Sequence, residues 1–256
     1  MSELLDEAAQ RAGRYLAALD ARPVRPAPEA LAALAGFGRD FPEHSTSAES
    51  VLAELDEIGS PATMASAGGR FFGFVIGGAL PVAVAANWLA TAWDQNAGLV
   101  VTAPANAALE AIALRWMQEI FQLPAQCAGG FVTCATSANF SALAAARHAL
   151  LRRAGWDVEA QGLFGAPPLT VVVGEEVHAS VQKALSLAGL GRERVRRVPV
   201  DEQGRMRLDA FPSVDERTIV CVQAGNVNTG ASDPIAQICA QARAQRAWVH
   251  VDGAFG

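Results

Sequence analysis

From Gly129 onward the chain alternates short apolar runs with longer stretches of helical periodicity. The runs 131–134, 169–173, 194–200, Thr218–Gln223 and Trp248–Asp252 have the length of strands, and most are rich in β-branched residues. Between them, 137–153, Ala179–Leu187 and 235–246 carry the spacing of helices. Strands that alternate with helices imply βαβ units, so the spacing predicts an α/β fold with a mostly parallel sheet. The last run, bounded by a polar helical stretch before it and Gly253 after it, fits a parallel strand covered on both faces. It would carry Asp252 to its carboxyl end, the side on which such sheets bind ligands. An Asp there also suits a plain turn cap.

The earlier part of the chain follows a different pattern. Residues 3–19 are amphipathic, 22–28 form a proline-rich connection, 48–58 read as a short helix, and 105–121 as a longer one with Leu109, Ile112, Trp116 and Ile120 along one side. The first helices are too short to bury a core alone. The expected organisation is therefore a helical N-terminal arm and interface segment over 1–100, followed by a large domain over 101–256. Residues 71–93 carry no charge over a length that would span a bilayer. Gly73, Gly77, Gly78 and Pro81 divide them into a loop and a short helix over 82–93, which reads as an interior or subunit-interface segment rather than a membrane span.

Composition narrows the function classes. With 51% hydrophobic and 18% charged residues, 256 residues can build one large α/β domain or two smaller units. A net charge of −6 without a block of Lys and Arg argues against a nucleic-acid partner. The apolar share is slightly above that of ordinary soluble domains, which points to a partner chain and an oligomer. Cys127, Cys134, Cys221 and Cys239 form no C-x-x-C pair and no zinc-ligand spacing, so no metal is expected and the thiols read as reduced. The acidic start, Met1 to Glu7, lacks the features of an export signal. A cytoplasmic location is the expectation.

Candidate chemistry gathers at one edge of the expected sheet. The turn over 132–139 consists of small residues followed directly by a helix, which supplies free N–H groups, hydroxyls and the positive end of the helix dipole to an anion. Thr136 and Ser137 are its candidate donors, although both residue types are also ordinary N-caps. The turn is neither a Walker A loop nor a G-x-G-x-x-G turn. His178 opens the helix after the next strand, and 223–230 adds amides and a hydroxyl to the same edge, although Asn-rich turns also arise for backbone reasons alone.

The ordered motifs G-F-V-T-C-A-T-S-A-N-F-S-A-L at 130–143, H-A-S-V-Q-K-A at 178–184, A-G-N-V-N-T-G-A-S-D-P at 224–234 and H-V-D-G-A-F-G at 250–256 resemble the group II pyridoxal-phosphate-dependent amino-acid decarboxylases. The resemblance covers most of the chain. It implies fold type I, that of the aspartate aminotransferase superfamily, with pyridoxal 5′-phosphate as cofactor, an amino acid as small-molecule substrate, and a homodimer with sites near the subunit boundary. By the same resemblance, Ala135 and Thr136, with Cys134, would hold the phosphate. His178 would stack on one face of the pyridine ring and Ala254 would press on the other. Asp252 would pair with the ring nitrogen, and Asn226 would stand near the phenolic oxygen. The physical reasoning agrees: a carboxylate beside a pyridinium favours the charged ring, and an imidazole over the ring can fix its plane and handle a proton.

The chain departs from that family at several positions. Ser137 stands where many relatives have Glu, and Gly253 where many have Ala. The family's Schiff-base lysine lies beyond the Asp motif, whereas the single lysine here, Lys183, follows His178 by more than one helical turn and reads as a solvated residue. The expectation is that these residues are the front portion of a longer decarboxylase, with the lysine beyond Gly256. The rival readings are a non-catalytic cofactor-binding remnant, a partner-dependent subunit, or another enzyme of the same cofactor such as an aminotransferase. Phe72, Phe74, Trp88 and Trp93 are candidates for a substrate pocket or for simple interface packing.

Overall fold

The computed structural model describes residues 2–256 as two compact units, one ending at Asn96 and one running from Ala97 to Gly256. The first contains helices α1 (Ser2–Ala17), α2 (Pro28–Ala33), α3 (Ala48–Glu54) and α4 (Pro81–Trp93). Arg11 fastens α1 to the segment after α3, donating to Glu7 at 2.6 Å and to Asp56 at 3.0 Å. The Ser47 hydroxyl caps α3 by accepting from Ser50 N, and α3 runs on into a single π turn at Leu55–Gly59. Proline at the first position starts α4, where the missing N–H costs nothing.

The second unit opens with α5 (Pro104–Ile120) and then builds the sheet. Its further elements are α6 (Ala135–Arg153), α7 (Val158–Gln161), β1 (Thr170–Gly174), α8 (Ala179–Leu187), β2 (Val195–Val198), β3 (Thr218–Gln223), α9 (Ile235–Ala244) and β4 (Trp248–Asp252). The four strands are all parallel, in the order β2-β1-β3-β4. Alternation along the strands divides the core. Val171, Val173, Ile219 and Cys221 face Leu143, Ala146 and Leu150 of α6 and Val181, Ala184 and Leu185 of α8. Val172, Val198, Val220 and Val222 face the other way, onto Met206 and Ile238 of α9. Such burial contributes roughly 1.5–3 kcal/mol for each large apolar side chain.

The strand order reverses between β1 and β3. The chain passes from β1 to β2 on one side, then returns to lay β3 on the other. A crevice forms outside the carboxyl ends of strands at such a point.

Two expectations are corrected. Residues 131–134 form no strand; they approach α6 as irregular chain, with Phe131 and Val132 exposed. A four-residue apolar run meets the strand pattern without having a neighbour to pair with. The second correction concerns β4, which lies at the edge of the described sheet and is not covered on both faces. His250 and Asp252 are buried while Val251 between them is 45% exposed. Among the described residues, no helix is long and apolar enough to cross a membrane.

Candidate active site

The parallel register sets His250 opposite Cys221 and Asp252 opposite Gln223. Two residues apart on one strand, His250 and Asp252 point to the same face, the one that α6 covers. The Asp252 carboxylate is 7% exposed. Its Oδ1 accepts from Ala254 N at 3.2 Å and its Oδ2 from Asn139 Nδ2 at 3.3 Å. Asn139 lies in the second turn of α6 and is 3% exposed. The same amide meets Ser180 Oγ at 3.1 Å and His250 Nε2 at 2.7 Å. Ser180 continues the chain of bonds: its hydroxyl lies 2.8 Å from His178 Nδ1, and its backbone N–H donates to that nitrogen at 3.2 Å. His178 is thus the N-cap of α8.

Burial dominates the electrostatics of the inner groups. It lowers the His250 pKa, with the Asp252 charge opposing it in part. It pushes the Cys221 thiol up to about 12, and Asp252 adds to that rise.

Cys134 is the N-cap residue of α6, with extended backbone, and it stands beside the unpaired N–H groups of the first helical turn without a side-chain cap hydrogen bond to them. The Ser137 hydroxyl lies 3.5 Å from Cys134 Sγ. It is the largest cause of a Cys134 pKa below the ordinary thiol value, and the N–H groups of Ser137 and Thr136 act in the same direction. Donors that favour a thiolate favour other anions too. Ala135, Thr136 and Ser137 are half-buried at this end.

The loop after β3 is held by its own side chains. Asn226 is buried; its Nδ2 donates to Glu176 at 2.9 Å, and its Oδ1 accepts from Asn228 N at 2.9 Å and Thr229 N at 3.3 Å. Asp233 accepts from Met206 N at 2.8 Å and Gln223 N at 2.7 Å, fastening the end of β3 to the segment beside β2. Its burial raises the carboxyl pKa, and those two N–H groups oppose the rise. A cavity of about 10 Å³, bounded by Gly174, Val181, Cys221 and Asp252 among others, lies beneath the edge and is only large enough for about one water.

The structure therefore brings Asp252, Ala254 and His178 into one hydrogen-bonded group, and places Cys134, Ala135 and Thr136 on the turn of α6 just before Asn139. It commits the Asn226 amide to its own turn and to Glu176. Lys183 is exposed on α8. Sequence reasoning assigned no role to Asn139, Ser180, His250 or Asp233. Two signals could have found the first and third of these: a polar residue at the head of the apolar stripe 139, 143, 146 and 150, and a His two positions before Asp252 on one strand.

A family model described as the pyridoxal-dependent decarboxylase conserved domain matches residues 28–256. Tryptophan decarboxylase 1 of Oryza sativa subsp. japonica is 28% identical over 235 residues, which are 84% of this chain and 45% of that protein. L-2,4-Diaminobutyrate decarboxylase of Rhizobium meliloti is 29% identical over 236 residues, 88% of this chain and 41% of that protein. The chain thus spans less than half the length of these relatives. Among solved structures, mouse CSAD superposes with a TM-score of 0.82 at 22% identity, over 98% of this chain and 55% of its own. Oryza sativa TDC, solved with PLP and tryptamine, superposes with a TM-score of 0.82 at 23% identity, over 98% of this chain and 54% of its own. The fold is shared with these enzymes, as fold type I.

Proposed function

The chain belongs to the pyridoxal-dependent decarboxylase family, and we propose that it supplies the cofactor cradle of an enzyme that removes the α-carboxylate of an amino acid. The observation that carries this reading is the buried Asp252 carboxylate, fixed at the carboxyl end of β4 by Asn139 Nδ2 and Ala254 N.

The residues present suit pyridoxal 5′-phosphate. An ionised carboxylate keeps acceptor capacity after two hydrogen bonds, and a protonated ring nitrogen supplies the matching donor. At the start of α6, the donors that lower the Cys134 pKa suit a phosphate. In this reading Ala135 and Thr136, with Cys134, hold the phosphate, Asp252 holds the proton on the ring nitrogen, and His178 and Ala254 bracket the ring. Asn226 serves by shaping the turn 226–230. With Nδ1 accepting from Ser180, His178 keeps Nε2 as the edge offered to a ligand. The bound cofactor supplies an electron sink for the carbanion left when carbon dioxide departs.

The active form is read as a homodimer in the cytoplasm. Leu109, Trp116 and Ile120 of α5 are 58%, 57% and 67% exposed, an apolar face that a second copy would cover. The four free cysteines suit a reducing compartment. The substrate is a free amino acid, and tryptophan and 2,4-diaminobutyrate, named for the relatives, head the panel.

The test uses the protein purified at its native length, supplied with pyridoxal phosphate and a panel of L-amino acids. The expected result is a bound-cofactor absorption band and release of carbon dioxide from at least one amino acid, both lost in Asp252→Ala. A protein that gives neither band nor carbon dioxide, or an Asp252→Ala variant identical to the parent, overturns the reading.

A further inference from the structure

The direction of every proton in the buried network follows from the charge on Asp252. A carboxylate only accepts, so Asn139 must turn its NH₂ toward Oδ2 and its carbonyl oxygen toward His250. His250 Nε2 therefore carries a proton and donates it to Asn139 Oδ1 at 2.7 Å. The second amide hydrogen goes to Ser180 Oγ at 3.1 Å, which leaves the Ser180 proton for His178 Nδ1 at 2.8 Å. Both N–H groups and the carbonyl of Asn139 are thus engaged.

The position of Asn139 makes this arrangement costly unless it does something. It heads the stripe of α6 that continues with Leu143, Ala146 and Leu150, all fully buried against the sheet. A residue there for packing alone would be apolar, because a buried amide loses its water and gains nothing without partners.

We propose that Asn139 is the positioning residue of the site: its one amide orients the Asp252 carboxylate and, through the Ser180 hydroxyl, seats His178. The inference deepens the cofactor reading above and rests on it, since that reading makes Asp252 and His178 the groups that meet the cofactor. Asn139 itself touches neither cofactor nor substrate in this scheme.

The experiment loads the native-length protein with pyridoxal phosphate carrying ¹⁵N in the pyridine ring and follows the ring-nitrogen resonance and cofactor affinity in four variants. In Asn139→Ala the resonance should move toward the unprotonated ring, and affinity should fall about 10- to 100-fold, the effect of losing a hydrogen bond to a charged group. Ser180→Ala, which cuts only the His178 branch, should leave the resonance in place while lowering kcat more than it changes KM. If Asn139→Ala does not fold, the near-isosteric Asn139→Leu gives the same reading, because it fills the stripe of α6 without offering a hydrogen bond to Asp252 or Ser180. An Asn139 variant with the parental resonance and affinity overturns the proposal. Asp252→Asn separates the two levels: a shift in Asp252→Asn with none in the Asn139 variants defeats the Asn139 role alone, whereas no shift in Asp252→Asn defeats the cofactor reading and this inference with it.

Discussion

The ring of Phe255 fills the space where a side chain on Gly225 would stand. Gly225 has φ of +95°, and a Cβ built on it would lie 2.6 Å from Phe255 Cδ1. The turn after β3 and the chain after β4 are packed together by this absence of a side chain. Gly225→Ala should destabilise the protein by about 1–3 kcal/mol, from backbone strain and the displaced ring. Urea unfolding checks it, and the mutant curve should shift to a lower midpoint with the same slope.

His250 gives the site a defined response to acid. Its pKa in the folded protein lies below the ordinary histidine value of 6.5, because burial outweighs the attraction of Asp252. As pH falls, the unfolded chain takes up this proton first. Stability linked to His250 is therefore complete above pH 6.5 and declines as pH falls through the depressed folded value. Unfolding measured in steps from pH 7.5 to about 5 should show this slope, and His250→Gln should flatten it.

Cys134 should be the first cysteine to react with a thiol reagent. It is exposed and its pKa is lowered, whereas Cys221 is buried with its pKa raised to about 12. Pyridoxal phosphate should slow the modification of Cys134 if the start of α6 holds the phosphate, and peptide mapping after a short exposure to iodoacetamide reads both effects. Equal modification of Cys134 with and without cofactor would sink the phosphate assignment.

Asp233 uses its two oxygens on two backbone donors, Met206 N and Gln223 N. In Asp233→Asn one of those donors would face an NH₂ group. The expected cost is about 1.5–3 kcal/mol, the range for a hydrogen bond to a charged group, and it should appear as a lower unfolding midpoint. Because Asp233 ties down the end of β3, cofactor affinity should weaken as well.

Leu150→Ala removes a fully buried side chain between α6 and the sheet. A loss of about 2–5 kcal/mol is expected, depending on how far the cavity collapses. Thermal unfolding of the purified variant measures it.

Much of the fold was legible because hydrophobic periodicity reports burial directly. The bounds of β3, β4 and α8 coincide with the patterned segments, and those of β1, β2, α6 and α9 differ by a few residues. The reading failed at 131–134, where apolar residues occur without a pairing partner. Asp252 and His178 stood out because each sits where a regular element ends or begins. Asn139, Ser180 and His250 did not, since an Asn or Ser on a helix and a His inside a strand are locally ordinary. Only the register of β4 against β3, and the packing of α6 across that face, bring these residues together.

The hydrogen bonds of Asn139 join residues 41, 111 and 113 positions apart along the chain. Contacts so remote form late, after local helices and the first crossovers have already paid the cost of ordering. As the polypeptide emerges during synthesis, α6, β1 and α8 can associate first, but β4 can pair with β3 only after α9 has crossed over. A chain that has not seated β4 therefore leaves the amide of Asn139 without its Asp252 and His250 partners, and the polar network closes only with the last strand pairing described.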